Sequence, residues 1–407
     1  MDDALLSVKE AQGRILDACS PFSPEWVPLE EALGRALSED VVARLTQPPW
    51  DNSGMDGYAL RAEDTTPPPR RLRVVEALYA GQLPTRTLGP GDAARIMTGA
   101  PVPKGATAVV MQERARALEG AGLGEVDVLD AIAAGTNLRP AGEDARSGEL
   151  LLGRGTSLGI PELGLLWGQG FTRASVPRRP VVAILANGDE LCPVDAPRPG
   201  HIIDTNSPSL AQAVLRAGGT PRLLGIARDT LPDIERLLAL ALESDVVLTS
   251  AGVSVGEKDF VRRAFERLGV KSDFYGVAIK PGKPLAFARR DRTLVFGLPG
   301  NPTSSLVAFE LFVRPALRRL LGHGDAIPGP VLGRSAVALN KRAGLAHYLR
   351  VRATFRDGEL WAEPLVSQTS GAVRSAATAT HLLHFPMEAI SLEPGAKVEL
   401  LTVFWGP

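Results

Sequence analysis

The sequence predicts a multi-domain protein of α/β plus β class, organised around a central doubly wound α/β domain. Three observations lead there. Between residues 179 and 322, strand-type apolar runs alternate with helical periods, the rhythm of a parallel sheet covered on both faces. Residues 44–139 carry short β-type runs split by Gly and Pro turns, which predicts a β-rich domain. Residues 331–407 repeat that texture after a Gly/Pro linker, which predicts a small C-terminal β-barrel.

In chain order, Leu5, Leu6, Val8, Ile15 and Leu16 recur at helical spacing and predict a helix over 3–20. A short second helix and a strand follow over 28–42. The β-rich block contains strands at Leu72–Ala77, Ala93–Ile96, Ala108–Gln112 and Val126–Ile132. Residues 140–178 have Gly every few positions and one helix, Pro161–Gly168, which suits a helical and extended connecting domain. In the central block, strands at Val181–Ala186, His201–Ile203, 222–226 and Asp245–Ser250 alternate with helices at Pro208–Ala217, 232–243 and 259–268. Strands near 275–280, 285–288 and 293–297 precede a helix over 303–320. Tyr348–Phe355 and Lys397–Phe404 are strands of the last domain. The domain borders are therefore 1–43 with 140–178, then 44–139, 179–327 and 328–407.

Composition narrows the function. The 407 residues include 45 basic and 46 acidic ones, so bulk charge does not draw the chain to nucleic acid. No apolar run is long enough to span a membrane, and the acidic start Met1-Asp2-Asp3 is unlike a signal peptide. The two cysteines, Cys19 and Cys192, offer neither a disulfide framework nor zinc-ligand spacing. A cytoplasmic protein is expected. The five histidines are scattered, and no catalytic role is expected for them. Only 8 basic residues are Lys, and only 6 Asn occur, so clusters of either stand out.

Ligands of open α/β sheets bind beyond the carboxyl ends of the strands. Four predicted strand ends carry polar clusters: Asn187 to Glu190, Asp204 to Pro208, Ser250 to Asp259 and Gly297 to Ser304. Caps and turns use the same residue types, but four clusters on one rim argue for a site. Asn206 or Ser207 is expected to cap the following helix. In the third cluster, Gly252, Ser254 and Gly256 precede a helix and offer backbone N–H groups to an anion. Glu257 and Asp259 suit a phosphate bridged by Mg²⁺. The fourth cluster offers Gly300, Asn301 and Ser304 without carboxylates. Ile279 to Pro284 holds Lys280 and Lys283 three residues apart, stiffened by Pro281 and Pro284, and two fixed ammonium groups suit phosphate or molybdate. In the β-rich block, Asp51 to Ala59 and Met97 to Pro103 are polar turns, and Gly142-Glu143-Asp144 is a third. No nucleophile elbow, Walker lysine loop or dinucleotide fingerprint is present.

The ordered series NSGMDGYAL, RIMTGAPVP, GED, NGDEL, DTN, SAGVSVGEKD, IKPGKP and GLPGNPTSS resembles the MoeA family of molybdopterin molybdenumtransferases, which are similar to the E domain of gephyrin. The likeness covers nearly the whole chain. It implies a molybdopterin-binding-like central domain and insertion of molybdate into adenylylated molybdopterin, with Mg²⁺ and release of AMP. It also implies a homodimer whose active site is shared between subunits, and transient contacts with the adenylyltransferase and with recipient molybdoenzymes. No nucleic-acid or membrane partner is expected.

Carried over by motif, the functional positions are Asp56, Thr98, Asp144, Glu190, Asp229, Asp259, Lys280 and Lys283. Glu190 and Asp259 would hold the metal. Lys280 and Lys283 would bind molybdate or the pterin phosphate, with Ser304 and Arg350, and Ser370 or Ser375, as further oxyanion candidates. Gly252, Ser254, Gly256, Pro284, Gly300 and Asn301 would line the substrate, and Asp56, Thr98 and Asp144 would close the site from the second subunit. Asn187 stands where Ser or Thr is usual, Ala251 where Gly is, and Asp229 where two acids often occur. Two other readings share the fold: a molybdopterin adenylyltransferase, which resembles the central domain alone, and a non-catalytic scaffold or carrier.

Overall fold

The computed structural model describes residues 5–118, 123–250 and 260–405. Two compact units are present: Met1–Glu39, Arg154–Leu163 and Thr172–Pro407 form one, and Asp40–Gly153 with Gly164–Phe171 form the other. Among the described residues, no helix is long and apolar enough to cross a membrane.

The central sheet of the larger unit has six strands in the order Thr220–Ala227, Val181–Asn187, Val246–Ser250, Thr293–Leu298, Ala286–Arg290 and Lys271–Tyr275. Its inner strands Val181–Asn187, Val246–Ser250 and Thr293–Leu298 are buried on both faces, as a doubly covered sheet requires. Val182, Ile184, Val246, Leu248, Leu294 and Phe296 pack into one core with residues of the helix Asn206–Arg216 and of the helical stretch beginning at Pro302. The alternate residues Ala183, Leu185, Val247 and Val295 pack into another with the helices Leu231–Ala241 and Phe260–Arg267. This is the doubly wound arrangement that the sequence predicts.

Two details differ from expectation. The first four strands are parallel, but the last two pairings are antiparallel, so Ala286–Arg290 alone of the six opposes the rest. No helix separates Ala286–Arg290 from Thr293–Leu298, and a two-residue connection can join only antiparallel neighbours. The run at 275–280 is not one strand. Lys271–Tyr275 stays in the sheet, whereas Ile279–Lys280 leaves it and pairs with Ala346–His347 of the C-terminal domain.

That C-terminal domain is a closed barrel. Ala346–Arg356 pairs with Glu359–Pro364, which pairs with Val331–Ser335, then Lys397–Thr402, then His381–Phe385, which returns to Ala346–Arg356. Val351, Ala362, Leu383, Phe385, Val398 and Leu400 fill it. Closure removes the exposed edges that an open sheet of this size would present.

The smaller unit centres on a six-stranded sheet ordered Ala108–Met111, Gly57–Leu60, Asp92–Ile96, Arg70–Leu78, Gly124–Val128 and Ala115–Ala117. Gly57 is dictated by a close approach: a Cβ there would lie 1.8 Å from the Val110 carbonyl oxygen.

Candidate active site

The four parallel strands of the central sheet end together. Asn187 is level with Ala227, Ala186 with Ser250, and Ser250 with Leu298. The clusters that begin at Asn187, Ser250 and Gly297 therefore start from one rim, which places Glu190, Asp229 and Gly300 just beyond adjacent strand ends; contrary to expectation, the Asp204 to Pro208 cluster follows Ile202–Ile203, which pairs with Leu191–Cys192 outside the central sheet. Asp189 and Asp229 bridge two of these ends reciprocally: the Asp189 N–H donates to Asp229 Oδ2 at 3.4 Å, and the Asp229 N–H donates to Asp189 Oδ1 at 3.2 Å. Glu190 is exposed and makes no ion pair among the described residues. Its carboxylate folds back over Gly188, where a Cβ would meet Oε2 at 2.6 Å.

The Asp204 to Pro208 cluster is a brace rather than part of the rim's exposed chemistry. Asp204 Oδ1 accepts hydrogen bonds from the backbone N–H groups of Asn206, at 3.0 Å, and Ser207, at 3.1 Å. The helix is therefore capped by Asp204, not by Asn206 or Ser207. Asn206 is buried, and its Nδ2 donates to Ser250 Oγ and to the Gly300 carbonyl, each at 2.7 Å. One amide thus ties the third strand end to the turn after the fourth. That turn opens a helix at Pro302, and Asn301 precedes it without a side-chain capping bond.

Beside this turn lies a cleft of about 570 Å³ lined by Lys280, Lys283, Pro284, Asn301, Ser304 and Ser370, among others. The excursion 276–285 carries both lysines out of the sheet. Its base is closed by hydrogen bonds from Gly276 N–H to the Leu285 carbonyl, at 2.7 Å, and from Val277 N–H to the Lys283 carbonyl, at 3.0 Å. Gly282 has φ +109°, a left-handed value that lets the chain turn between the lysines. Pairing of Ile279–Lys280 with Ala346–His347 sets Lys280 against the barrel. No carboxylate lines the cleft among the described residues. Two ammonium groups and several hydroxyl and amide groups there are donors of the kind that suit an oxyanion.

Arg350 is placed differently from the other oxyanion candidates. It is fully buried in a barrel strand and does not line the cleft. Its Nε donates to Ser375 Oγ at 2.8 Å, and its Nη2 donates to the carbonyls of Ser367, at 3.1 Å, and Thr369, at 3.0 Å. Burial pushes its pKa down. Arg350 and Ser375 therefore support the wall formed by residues 367–370. Thr303 fastens the same wall from the other side, its N–H donating to the Ser370 carbonyl at 3.1 Å.

Sequence reasoning missed the lining residues supplied by the barrel strand and the 367–370 segment, among them His347, Gln368 and Thr369. Burial, then the Lys280 and Lys341 charges, push the His347 pKa down to about 4, so its imidazole is neutral at pH 7. The polar run Ser367 to Ser370 between strands was a usable signal for Gln368 and Thr369; nothing in the spacing marked His347.

In the smaller unit, three turns far apart in sequence meet. Gly99 N–H donates to the Ser53 carbonyl at 2.8 Å, Gly54 N–H to the Asn137 carbonyl at 2.8 Å, and Ala141 N–H to Asp51 Oδ1 at 2.8 Å. Asp56 and Thr98 touch: Asp56 Oδ1 accepts from the Thr98 N–H and hydroxyl, each at 2.7 Å. Those bonds, the backbone one first, hold the exposed Asp56 carboxyl below the usual carboxylate range. Asp144 is exposed on the third turn, its N–H donating to the Gln47 carbonyl at 3.0 Å.

Gly252, Ser254, Gly256 and Asp259 lie outside the described residues. No group of three metal-ligating side chains occurs among the described ones. Among the described residues, Glu190, with Asp189 and Asp229 at the neighbouring strand ends, offers carboxylate oxygens of the kind that Mg²⁺ requires.

Family models match along the chain in order: the MoeA N-terminal region (domain I and II) at residues 6–170, a probable molybdopterin binding domain at 183–319, and the MoeA C-terminal region (domain IV) at 333–403. The molybdopterin molybdenumtransferase of Bacillus subtilis is 34% identical, over 98% of this chain and 94% of its own. The chain belongs to the MoeA family. Molybdopterin molybdenumtransferase 2 of Mycobacterium tuberculosis is 36% identical, over 97% of this chain and 98% of its own. The crystal structure of the molybdopterin biosynthesis MoeA protein from Pyrococcus horikoshii OT3 superimposes with a TM-score of 0.84 at 30% identity, covering 97% of this chain and 99% of that one. As a MoeA family member, the chain carries a rim and cleft in the domain whose family model names molybdopterin binding, with the barrel of the C-terminal region supplying the cleft's far wall.

Proposed function

We propose that this chain acts in molybdenum cofactor biosynthesis as a molybdopterin molybdenumtransferase, inserting molybdate into adenylylated molybdopterin with release of AMP. One observation carries the reading: the cleft holds Lys280, Lys283 and Ser304 with no lining carboxylate among the described residues, beside a rim that carries Glu190 and Asp229. Lys280 and Lys283 receive molybdate or the pterin phosphate, and Ser304, Asn301 and Ser370 orient it. Glu190 and Asp259 hold Mg²⁺, which neutralises the nucleotide phosphates when bound. Cleaving a phosphoanhydride depends on positioning and charge neutralisation more than on a protein nucleophile, which suits a site without a catalytic Cys. Asp56, Thr98 and Asp144 act on the site of the other subunit in a cytoplasmic homodimer.

The test is AMP release from adenylylated molybdopterin, with and without molybdate and Mg²⁺. Molybdate-dependent release is expected. Lys280→Ala and Lys283→Ala are each expected to lower it by roughly 10²–10³ while the exposed positions leave folding intact. A folded dimer that binds the nucleotide but releases no AMP would make this chain a carrier instead.

A further inference from the structure

A second cavity lies outside the cleft, where residues 33–35, the segment 215–218 and the end of the helix Arg314–Leu320 converge. Its volume is about 290 Å³. Arg35, Arg179, Arg216, Arg314, Arg318 and His323 line it, and no carboxylate does among the described residues. Three of the guanidinium groups have an acidic partner outside the lining: Arg35 pairs with Glu25, Arg314 with Glu310 and Arg318 with Asp325. Among the described residues, Arg179 donates to the Gly218 carbonyl, at 3.1 Å, and has no acidic partner within salt-bridge distance. Arg35 is 95% buried, yet its Nε has no hydrogen-bond partner among the described residues. A buried charged donor left without an acceptor is costly, and a bound acceptor would remove that cost.

The local field agrees with this geometry. Burial and the Arg35 charge lower the Arg179 pKa, and burial and the Arg318 charge push His323 down to about 4. Arginine side chains thus line the cavity with no carboxylate on its wall among the described residues, while Glu25, Glu31, Glu310 and Asp325 act on them from outside it. Arg is the side chain whose planar fork matches phosphoryl and similar oxyanions.

We propose that this cavity is a second anion site, built for a tetrahedral dianion held by Arg179, Arg216 and Arg35. The dianion is either free or the phosphoryl group of a small molecule. The volume is several times the roughly 30 Å³ share of one water, so it admits an oxyanion with waters or a phosphoryl group with a short organic part. Leu33, Leu215 and Phe404 on the wall would meet such an organic part. None of these residues lines the Lys280 and Lys283 cleft, so the proposal stands apart from the transferase reading.

The experiment titrates the full-length chain with inorganic phosphate and with phenyl phosphate by calorimetry. It uses a Lys280→Ala/Lys283→Ala background, so that the cleft does not contribute. Arg179 and Arg216 are exposed, and replacing them with Ala leaves the packed core untouched; unfolding temperatures check this. The background is expected to bind at one site, and adding Arg179→Ala with Arg216→Ala is expected to weaken binding tenfold or more. Tighter binding of phenyl phosphate than of phosphate would assign a small organic phosphate, and equal binding a free oxyanion. No saturable binding to the background, or binding unchanged by the arginine replacements in a folded protein, overturns the proposal.

Discussion

Asn206→Ala isolates the brace under the rim. The side chain donates two hydrogen bonds of 2.7 Å, to Ser250 Oγ and to the Gly300 carbonyl. Gly300 is exposed, so water replaces the lost donor there and the cost is about 0.5–1 kcal/mol. Ser250 is 1% exposed, and the net cost of losing one hydrogen bond to its hydroxyl is about 0.5–1.5 kcal/mol. Together these give about 1–2.5 kcal/mol, and at 1.4 kcal/mol per decade that is roughly 5- to 60-fold faster opening. Native-state hydrogen exchange on Val246–Ser250 measures this locally, without requiring the two units to unfold together. Transfer activity should fall too, because the turn bearing Asn301 and Ser304 loses its tether. If exchange at Val246–Ser250 changes by less than about threefold while activity still collapses, Asn206 contacts substrate and the brace argument is wrong.

Three further outcomes follow from the same structure. Gly57→Ala should abolish or misfold the smaller unit, since no rotamer choice moves a Cβ from 1.8 Å off the Val110 oxygen; a native circular dichroism spectrum and melt would contradict this. His323 is held near 4 against an ordinary value of 6.5, so the unfolded chain takes up a proton in that interval that the folded chain refuses. Stability should therefore fall as pH drops from about 6.5 towards 4, a slope that His347 shares and that His323→Gln should reduce; denaturation midpoints across that range are the measurement, and an unaltered slope counts against the assignment. Arg350→Met should weaken oxyanion binding at the cleft although both lysines remain, because the carbonyls of Ser367 and Thr369 lose their donor; molybdate titration of the variant tests it, and wild-type affinity would remove Arg350 from the wall.

What was legible in the sequence is what short-range periodicity controls. Val181–Asn187 and Val246–Ser250 are apolar on both faces, and that pattern already required helices above and below them. The clusters at the strand ends were visible because a doubly wound sheet delivers its strand ends to one edge, so those at Asn187, Ser250 and Leu298 had to converge, whereas Asp204 follows a short strand outside that sheet. What stayed hidden depends on partners distant in sequence. The Asn206 amide bonds a carbonyl 94 residues away, and nothing near Asn206 distinguishes that brace from a helix cap. Lys280 sits on a strand too short to be read alone, and it leaves its own sheet for one formed by residues 346–347. His347 enters the cleft only through that pairing, which is why a scattered histidine gave no signal. Arg350 shows the opposite failure: its residue type suggested an anion contact, whereas complete burial among carbonyls makes it the support of the wall that Gln368, Thr369 and Ser370 present. Residue type nominates a chemistry, and the fold decides whether the group meets the ligand or holds the residue that does.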